Sequence, residues 1–369
     1  MDIRNTYLTL LLASVMCLSI NVYAFEKYKI ESLSSFEHKK NIQLEIYNKV
    51  QKKYLASFDK AKQKISKIWD DPKLSDKTKW IEYSKDLSIR RTVDFEQEKI
   101  TVEILGDNIS QEKAYSISKN ELTKVQNQTI SQALSNDLVI TDKMDKKKNS
   151  SINYQIFNDV KPYKEPVKIS HKQNNAGQKV TKLEYKLASD LPKVMSQNYV
   201  KLVNENAKKW SVPADLIMAI IHVESHFNPV AQSPVPAYGL MQVVPTSAGR
   251  DVTKIYAGKE NLLSAALLFE PKFNIEVGSA YLNILNSRYL SKISNTQSRH
   301  SLIIASYNGG IGAVAKYFTN STSLTKLAET VNKLTPDEVF HELSNKFPFS
   351  ETRDYMKKVS EKRNLYRSL

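Results

Sequence analysis

Residues 212–229 read VPADLIMAIIHVESHFNP, and the class of fold follows from them. Pro213 fits the first turn of a helix, Asp215 complements the positive end of its dipole, and Asn228-Pro229 marks its end. Leu216, Ile220 and Val223 make one apolar row, and Ile217, Ile221 and Glu224 make the adjacent row at the same spacing. Glu224 therefore extends an apolar stripe. A carboxylate on a buried face, with no lysine or arginine beside it, has its charged form disfavoured, which raises its pKa toward the range of a general acid. The plain alternative is a glutamate that reaches past the helix end to solvent or to backbone N–H groups, and the helix by itself leaves both open.

His222 and His226 flank Glu224 at a spacing of four and superficially suggest a zinc helix. Metalloprotease helices place Glu directly after the first His, and the His-x-Glu deaminase pattern needs downstream cysteines that this chain lacks, so no metal or other cofactor is expected. The two histidines read as packing or surface residues that would tune Glu224 if they lie near it. Gly310-Ile-Gly312-Ala-Val-Ala315, with Glu329 downstream, approaches a dinucleotide fingerprint. Without a repeated alternation of strands and helices, it reads more simply as a helix stop and tight turn.

Outward from the helix, the 369-residue chain is long enough for two domains, and with only 9 glycines and 12 prolines helix should dominate. Seven of those glycines lie after Leu187, among compact apolar runs and short turn-rich connections. Before it, Tyr47, Val50, Tyr54, Phe58, Ala61, Ile65 and Ile68 predict a long amphipathic helix with a lysine-rich outer face. Val93 and Phe95, then Ile100, Val102 and Ile104, alternate with polar residues as two strands facing a core. Between Asp142 and Lys186 the pattern dissolves into Lys, Asn and Ser, which fits a linker or a poorly packed edge, although INYQIF at 152–157 could add strands. The expected organisation is a leader over 1–24, an α+β domain over 25–187 and a helical domain over 188–369.

The leader is read from Arg4, the apolar run Tyr7–Ile20 and the Val22-Tyr23-Ala24 cleavage pattern, which predict export and a mature chain that begins at Phe25. Cys17 is the one cysteine, so internal disulfides are excluded. Lipidation at Cys17 is the less favoured alternative, because Met16 stands where a small residue is wanted. Lys+Arg 54 against Asp+Glu 39 leave a formal charge of +15, which favours anionic partners. No base-reading or stacking module accompanies that charge, so nucleic acid is not expected; the carboxylates of wall peptides or an anionic membrane surface suit an exported protein better.

Glu224-Ser225, Gly239-Leu240-Met241-Gln242, Ala305-Ser306-Tyr307-Asn308-Gly309-Gly310 and Tyr355 in ETRDYMKKV, taken together in this order, resemble the catalytic domain of the soluble lytic transglycosylases. FEPKFNIEVGSAYLNILN and the more distant WIEYSKDLSIRRTVDFEQEKITVEIL place the resemblance nearest the membrane-bound lytic murein transglycosylase C family. The strong part of the match covers residues 188–365. It implies a lysozyme-like, mainly α-helical catalytic domain that cleaves the β-1,4 bond between N-acetylmuramic acid and N-acetylglucosamine in peptidoglycan glycan strands. By the same resemblance Glu224 is the single acid and base, Tyr355 orients it, and Ser225, Met241, Gln242, Tyr307 and Asn308 line the cleft. The implied location is the periplasm, with attachment to the outer membrane in the close relatives. Ser306 departs from the family's usual alanine. The rival readings are a goose-type lysozyme, in which water captures the intermediate, and a wall-binding protein without turnover.

Overall fold

The computed structural model describes residues 45, 48–49, 51–140, 154–157, 165–175, 177–187 and 190–368. The expected leader with Cys17, together with Tyr47, Val50 and the run at 141–150, lies outside them. Contacts divide the chain into Met1–Lys53, of which only a few helical residues are described, and Tyr54–Leu369, which holds the sheet and the helical body.

Helix α1 (51–66) buries Tyr54, Phe58, Ala61 and Ile65 and leaves its lysines outward, as its periodicity predicts. Strands β1 (Lys79–Tyr83), β2 (Ile89–Asp94) and β3 (Lys99–Leu105) follow, then helices α2 (Gln111–Asn127) and α3 (Ile130–Asn136), then β4 (Lys168–Gln173) and β5 (Lys179–Lys186). They form one antiparallel sheet in the order β1-β2-β3-β5-β4. Val93 pairs with Ile100, and Ile100 and Val102 pair across to Tyr185 and Leu183, so the predicted alternation faces a common core. Of the two readings of the stretch up to Lys186, the linker gives way here to an edge of the α+β part. Val180, Leu183 and Tyr185 are buried in β5, and β4 is an exposed edge strand whose polar sequence carries no apolar alternation.

Both faces of the sheet carry a buried arginine. On the core face Arg91 is held by Glu82, by Glu121 and Gln128 from α2 and its end. On the other face Arg90 Nε donates to Glu103 at 2.7 Å, its Nη1 donates to the Asp71 carbonyl at 2.7 Å, and its guanidinium lies 4.2 Å from the Trp69 ring. Charges this deep persist only when paired on every side.

The helical body runs α4 (Leu191–Gln197), α5 (Val200–Trp210), α6 (Ala214–Ser225), α7 (Arg250–Tyr256), α8 (Ala265–Leu268), α9 (Pro271–Ile284), α10 (Thr296–Gly309), α11 (Ile311–Thr319), α12 (Leu324–Val331), α13 (Pro336–His341) and α14 (Ser350–Leu365). The fold is therefore mainly α with a smaller α+β part before the helical body. Local chemistry sets several starts. Glu270 caps α9 ahead of Pro271, Asn295 caps α10, and Thr335 with Glu338 makes a reciprocal capping box on α13. Gly310, with φ of 84°, stops α10 and starts α11, so the glycine-rich run is the helix stop and turn that its simpler reading predicts. Helix α6 is buried on nearly every side, packed against α5 and α14, while α14 also packs on α10. One hydrophobic core joins the sheet to these helices. No helix among the described residues is long and apolar enough to cross a membrane.

Arg90→Ala would strip the buried Glu103 of its nearest cation and leave it only the half-exposed Lys73, 3.5 Å away. We expect a loss of about 3–5 kcal/mol in urea denaturation, the usual cost of breaking a buried pair from one side.

Candidate active site

Glu224 stands in the last turn of α6, 6% exposed. Burial is the main cause that pushes its carboxyl up to about 7; Lys77 and the Tyr355 hydroxyl hold part of that rise back, and Glu351 adds to it. It makes no ion pair within 4.0 Å among the described residues. Pro213 caps the helix instead of opening its first turn, and Asp215 accepts from Arg363 Nε at 2.7 Å. The helix ends earlier than Asn228-Pro229. His226 and Phe227 have φ of 49° and 63°, a left-handed pair that costs about 1 kcal/mol or more per residue and turns the chain sharply just after Glu224. Phe227 holds that turn: it is fully buried, with its ring 6.3 Å from Tyr199 and 6.3 Å from Tyr366.

The segment 237–243 lies beside the helix end. Tyr238 bridges to both Gln232 and Val243, and Gly239 has φ of 74°, where a Cβ would come 2.3 Å from the Leu268 carbonyl. Asn274 of α9 donates to the carbonyls of Leu268 at 2.6 Å and Tyr238 at 2.7 Å, and accepts from the Met241 N–H at 2.8 Å. Ser225 donates to the Leu240 carbonyl at 2.8 Å, with the Ile221 carbonyl at 3.0 Å as the other acceptor in reach. The segment is thereby tied to the end of α6 from one side and to α9 from the other.

Tyr307 of α10 donates its hydroxyl to the Met241 carbonyl at 2.8 Å. Tyr355 of α14 is buried, and its hydroxyl has no hydrogen bond of standard geometry while it faces the Glu224 carboxyl. Burial, and then the charge of Glu224, hold both phenols well above their ordinary value, so each remains a proton-bearing donor. Asn308 Oδ1 accepts from Thr352 Oγ1 at 2.7 Å, which leaves its amide N–H₂ toward the half-exposed end of α10.

The structure divides the seven expected residues. Tyr307 and Tyr355 lie within electrostatic reach of Glu224, and Asn308 follows Tyr307 on α10 and is tied to Thr352 of α14. Ser225 and Met241 are wholly buried, Ser225 with its hydroxyl spent on backbone carbonyls and Met241 with its sulfur packed on Gly278, where a Cβ would sit 2.3 Å away. Gln242 has φ of 46°, donates to the Ala231 carbonyl at 3.1 Å and the Gly239 carbonyl at 3.0 Å, and keeps a buried Oε1 with no partner. The histidines do not tune Glu224. His222 shares a hydrogen bond with Tyr366 at 2.8 Å, and burial pushes it down to about 3; burial likewise lowers His226. Ser306, also wholly buried, has a hydroxyl without a partner. Sequence reasoning missed Asn274, Lys77, Glu351 and Thr352. The only signal for Asn274 was a polar residue inside the apolar run of α9, and Lys77 had none, because a loop brings it across from the sheet.

The family described as "Transglycosylase SLT domain" matches residues 201–329, which include the helix that ends in the Glu224 carboxyl, the Gly239 turn and Tyr307. Membrane-bound lytic murein transglycosylase C of Actinobacillus pleuropneumoniae serotype 5b is 33% identical over 311 residues, 82% of this chain and 84% of that protein. The enzyme of the same name from Yersinia enterocolitica is 43% identical over 172 residues, where the match spans 47% of this chain and 47% of the relative, about half its length. The chain belongs to the membrane-bound lytic murein transglycosylase C family. Among solved structures, the 70 kDa soluble lytic transglycosylase of Escherichia coli is 27% identical with a TM-score of 0.36, over 46% of this chain and 24% of that one.

The raised Glu224 pKa has a thermodynamic sign. The folded carboxyl binds its proton up to about pH 7, whereas the unfolded one releases it near 4.5, so stability falls as pH rises from 4.5 to 7 and is flat above. Over that interval the loss is about 3 kcal/mol. Glu224→Gln removes it, so we expect the variant to be more stable than the parent at pH 8, with the gain gone below pH 4.5, as read by denaturant midpoints across pH.

Proposed function

We propose that this chain is a peptidoglycan lytic transglycosylase that cleaves the β-1,4 bond between N-acetylmuramic acid and N-acetylglucosamine. The observation that carries the reading is the buried Glu224 carboxyl, raised to about 7 and faced by the Tyr355 phenol. Protonated Glu224 donates to the bridging oxygen as the bond from the muramic acid C1 to that oxygen breaks, and the substrate's N-acetyl group shares the charge developing at C1. The resulting Glu224 carboxylate removes the proton of the same sugar's 6-hydroxyl. O6 attacks C1 and closes a 1,6-anhydro ring, which returns the proton to Glu224. Two-carboxylate glycosidases assign these jobs to separate residues, whereas a tethered hydroxyl gains the large effective concentration that lets one residue serve.

Tyr355 is proposed to hold the carboxyl in line, and the free Oε1 of Gln242 and the amide of Asn308 to meet the sugar's amide and hydroxyls. Ser225, Met241 and Asn274 serve by fixing the wall. The region 188–369 would carry the reaction, and the preceding α+β part would support it. Export to the periplasm, with the wall's glycan strands as substrate, suits both this chemistry and the family.

The test is clearing of a peptidoglycan suspension by the purified protein. Glu224→Gln should clear at no more than about a thousandth of the parent rate, since general acid and base catalysis are both lost. The parent rate should fall as pH rises through about 7, where Glu224 gives up its proton. Clearing by the glutamine variant at the parent rate would remove Glu224 from the mechanism.

A further inference from the structure

The connection between α1 and β1 carries Lys77, and it is laced to the chain that leaves the catalytic helix. Asn228 Nδ2 donates to the Lys77 carbonyl at 3.2 Å, and the Gln232 N–H lies 3.4 Å from the Asp76 carbonyl. Asp76 Oδ1 in turn accepts from the N–H groups of Thr78 at 2.8 Å and Lys79 at 2.7 Å, an Asx-type turn that fixes the loop on the sheet side. From this anchored backbone the Lys77 ammonium reaches 3.6 Å from Glu351 Oε1. Glu351 stands in the first turn of α14, one turn before Tyr355 and therefore on the same helical face.

Around Glu224 the charged and titratable groups are thus Tyr307 from α10, Tyr355 and Glu351 from α14, and Lys77 from the sheet-bearing part. We infer that Lys77 is a positioning residue of the active site, a cation that the α+β part delivers to act on Glu224 against the opposing charge of Glu351. Lys77 favours the ionised form of Glu224 and Glu351 the protonated form. A residue that must donate a proton and then take one back needs both forms within reach near neutral pH. The sheet-bearing part thereby enters the chemistry as well as the packing. The Lys77 and Glu351 side chains are 42% and 75% exposed, so their effect should be modest and should shrink with salt.

The charge effect stands apart from the proposed activity, although its consequence for lysis rests on it, so the test reads the two separately. In full-length protein labelled with ¹³C at the glutamate carboxyls, Glu224→Gln identifies the Glu224 resonance, and its titration is followed at low ionic strength. Lys77→Met should move the midpoint up and Glu351→Gln should move it down, each by about half a pH unit, a roughly threefold change in the ratio of protonated to ionised forms. Lys77→Arg should restore the parent midpoint. The Met variant keeps the backbone carbonyl that anchors the loop, and Glu351→Gln alters an exposed side chain, so the two reach the question by independent routes. Unchanged midpoints in both, or shifts in the same direction, would overturn the inference. Clearing of peptidoglycan is measured in parallel, where the alkaline limb should follow each midpoint. Shifted midpoints with no clearing by the parent would sustain the charge effect and reject the activity.

Discussion

Burial of one carboxyl at the end of one apolar helix is the constraint on which the site depends. Glu224 occupies a position where the periodicity of α6 calls for an apolar residue, and its pKa rises because burial disfavours the charged form. Keeping it there takes a helix buried all round, an abrupt left-handed turn at His226-Phe227 and a neighbouring helix, α14, that brings a phenol to the carboxyl. The cost falls on stability, as is usual where function needs a group that the fold would prefer to lack.

The polar side chains around Glu224 are therefore mostly structural. Asn274 satisfies three backbone groups of the 238–241 and 268 segments, Ser225 ties the helix end to Leu240, and Tyr307 caps the Met241 carbonyl. These bonds answer buried backbone groups, of which the Tyr238 carbonyl also accepts from the Val243 N–H; such a group left without any partner costs about 1–3 kcal/mol. Among the buried groups that this lacing leaves without a standard hydrogen bond are the Tyr355 hydroxyl and the Gln242 Oε1.

Much of this was legible in the sequence where a period exposes it. The alternation of Ile100, Val102 and Ile104, the spacing of α1 and the apolar rows of α6 gave the elements and put Glu224 on a buried face. Legibility failed where one side chain's direction depends on a distant segment. β4 is an exposed edge strand with no buried face to impose a pattern, so it passed for a linker. Met241 and Ser225 sit in the motifs that carry the resemblance, but their burial is decided by contacts with Gly278 and the Leu240 carbonyl. Lys77 reaches the site through a loop whose anchors, Asn228 and Gln232, lie on another part of the chain.

The central claim is that one carboxyl serves as acid and then as base because the substrate supplies its own nucleophile. Mass spectrometry of the sugars released from peptidoglycan by the purified protein tests it most directly. We expect products that end in a 1,6-anhydro ring, one water lighter than those of hydrolysis. Products with a free reducing end would mean that water captures C1, and would contradict the single-residue mechanism built on Glu224.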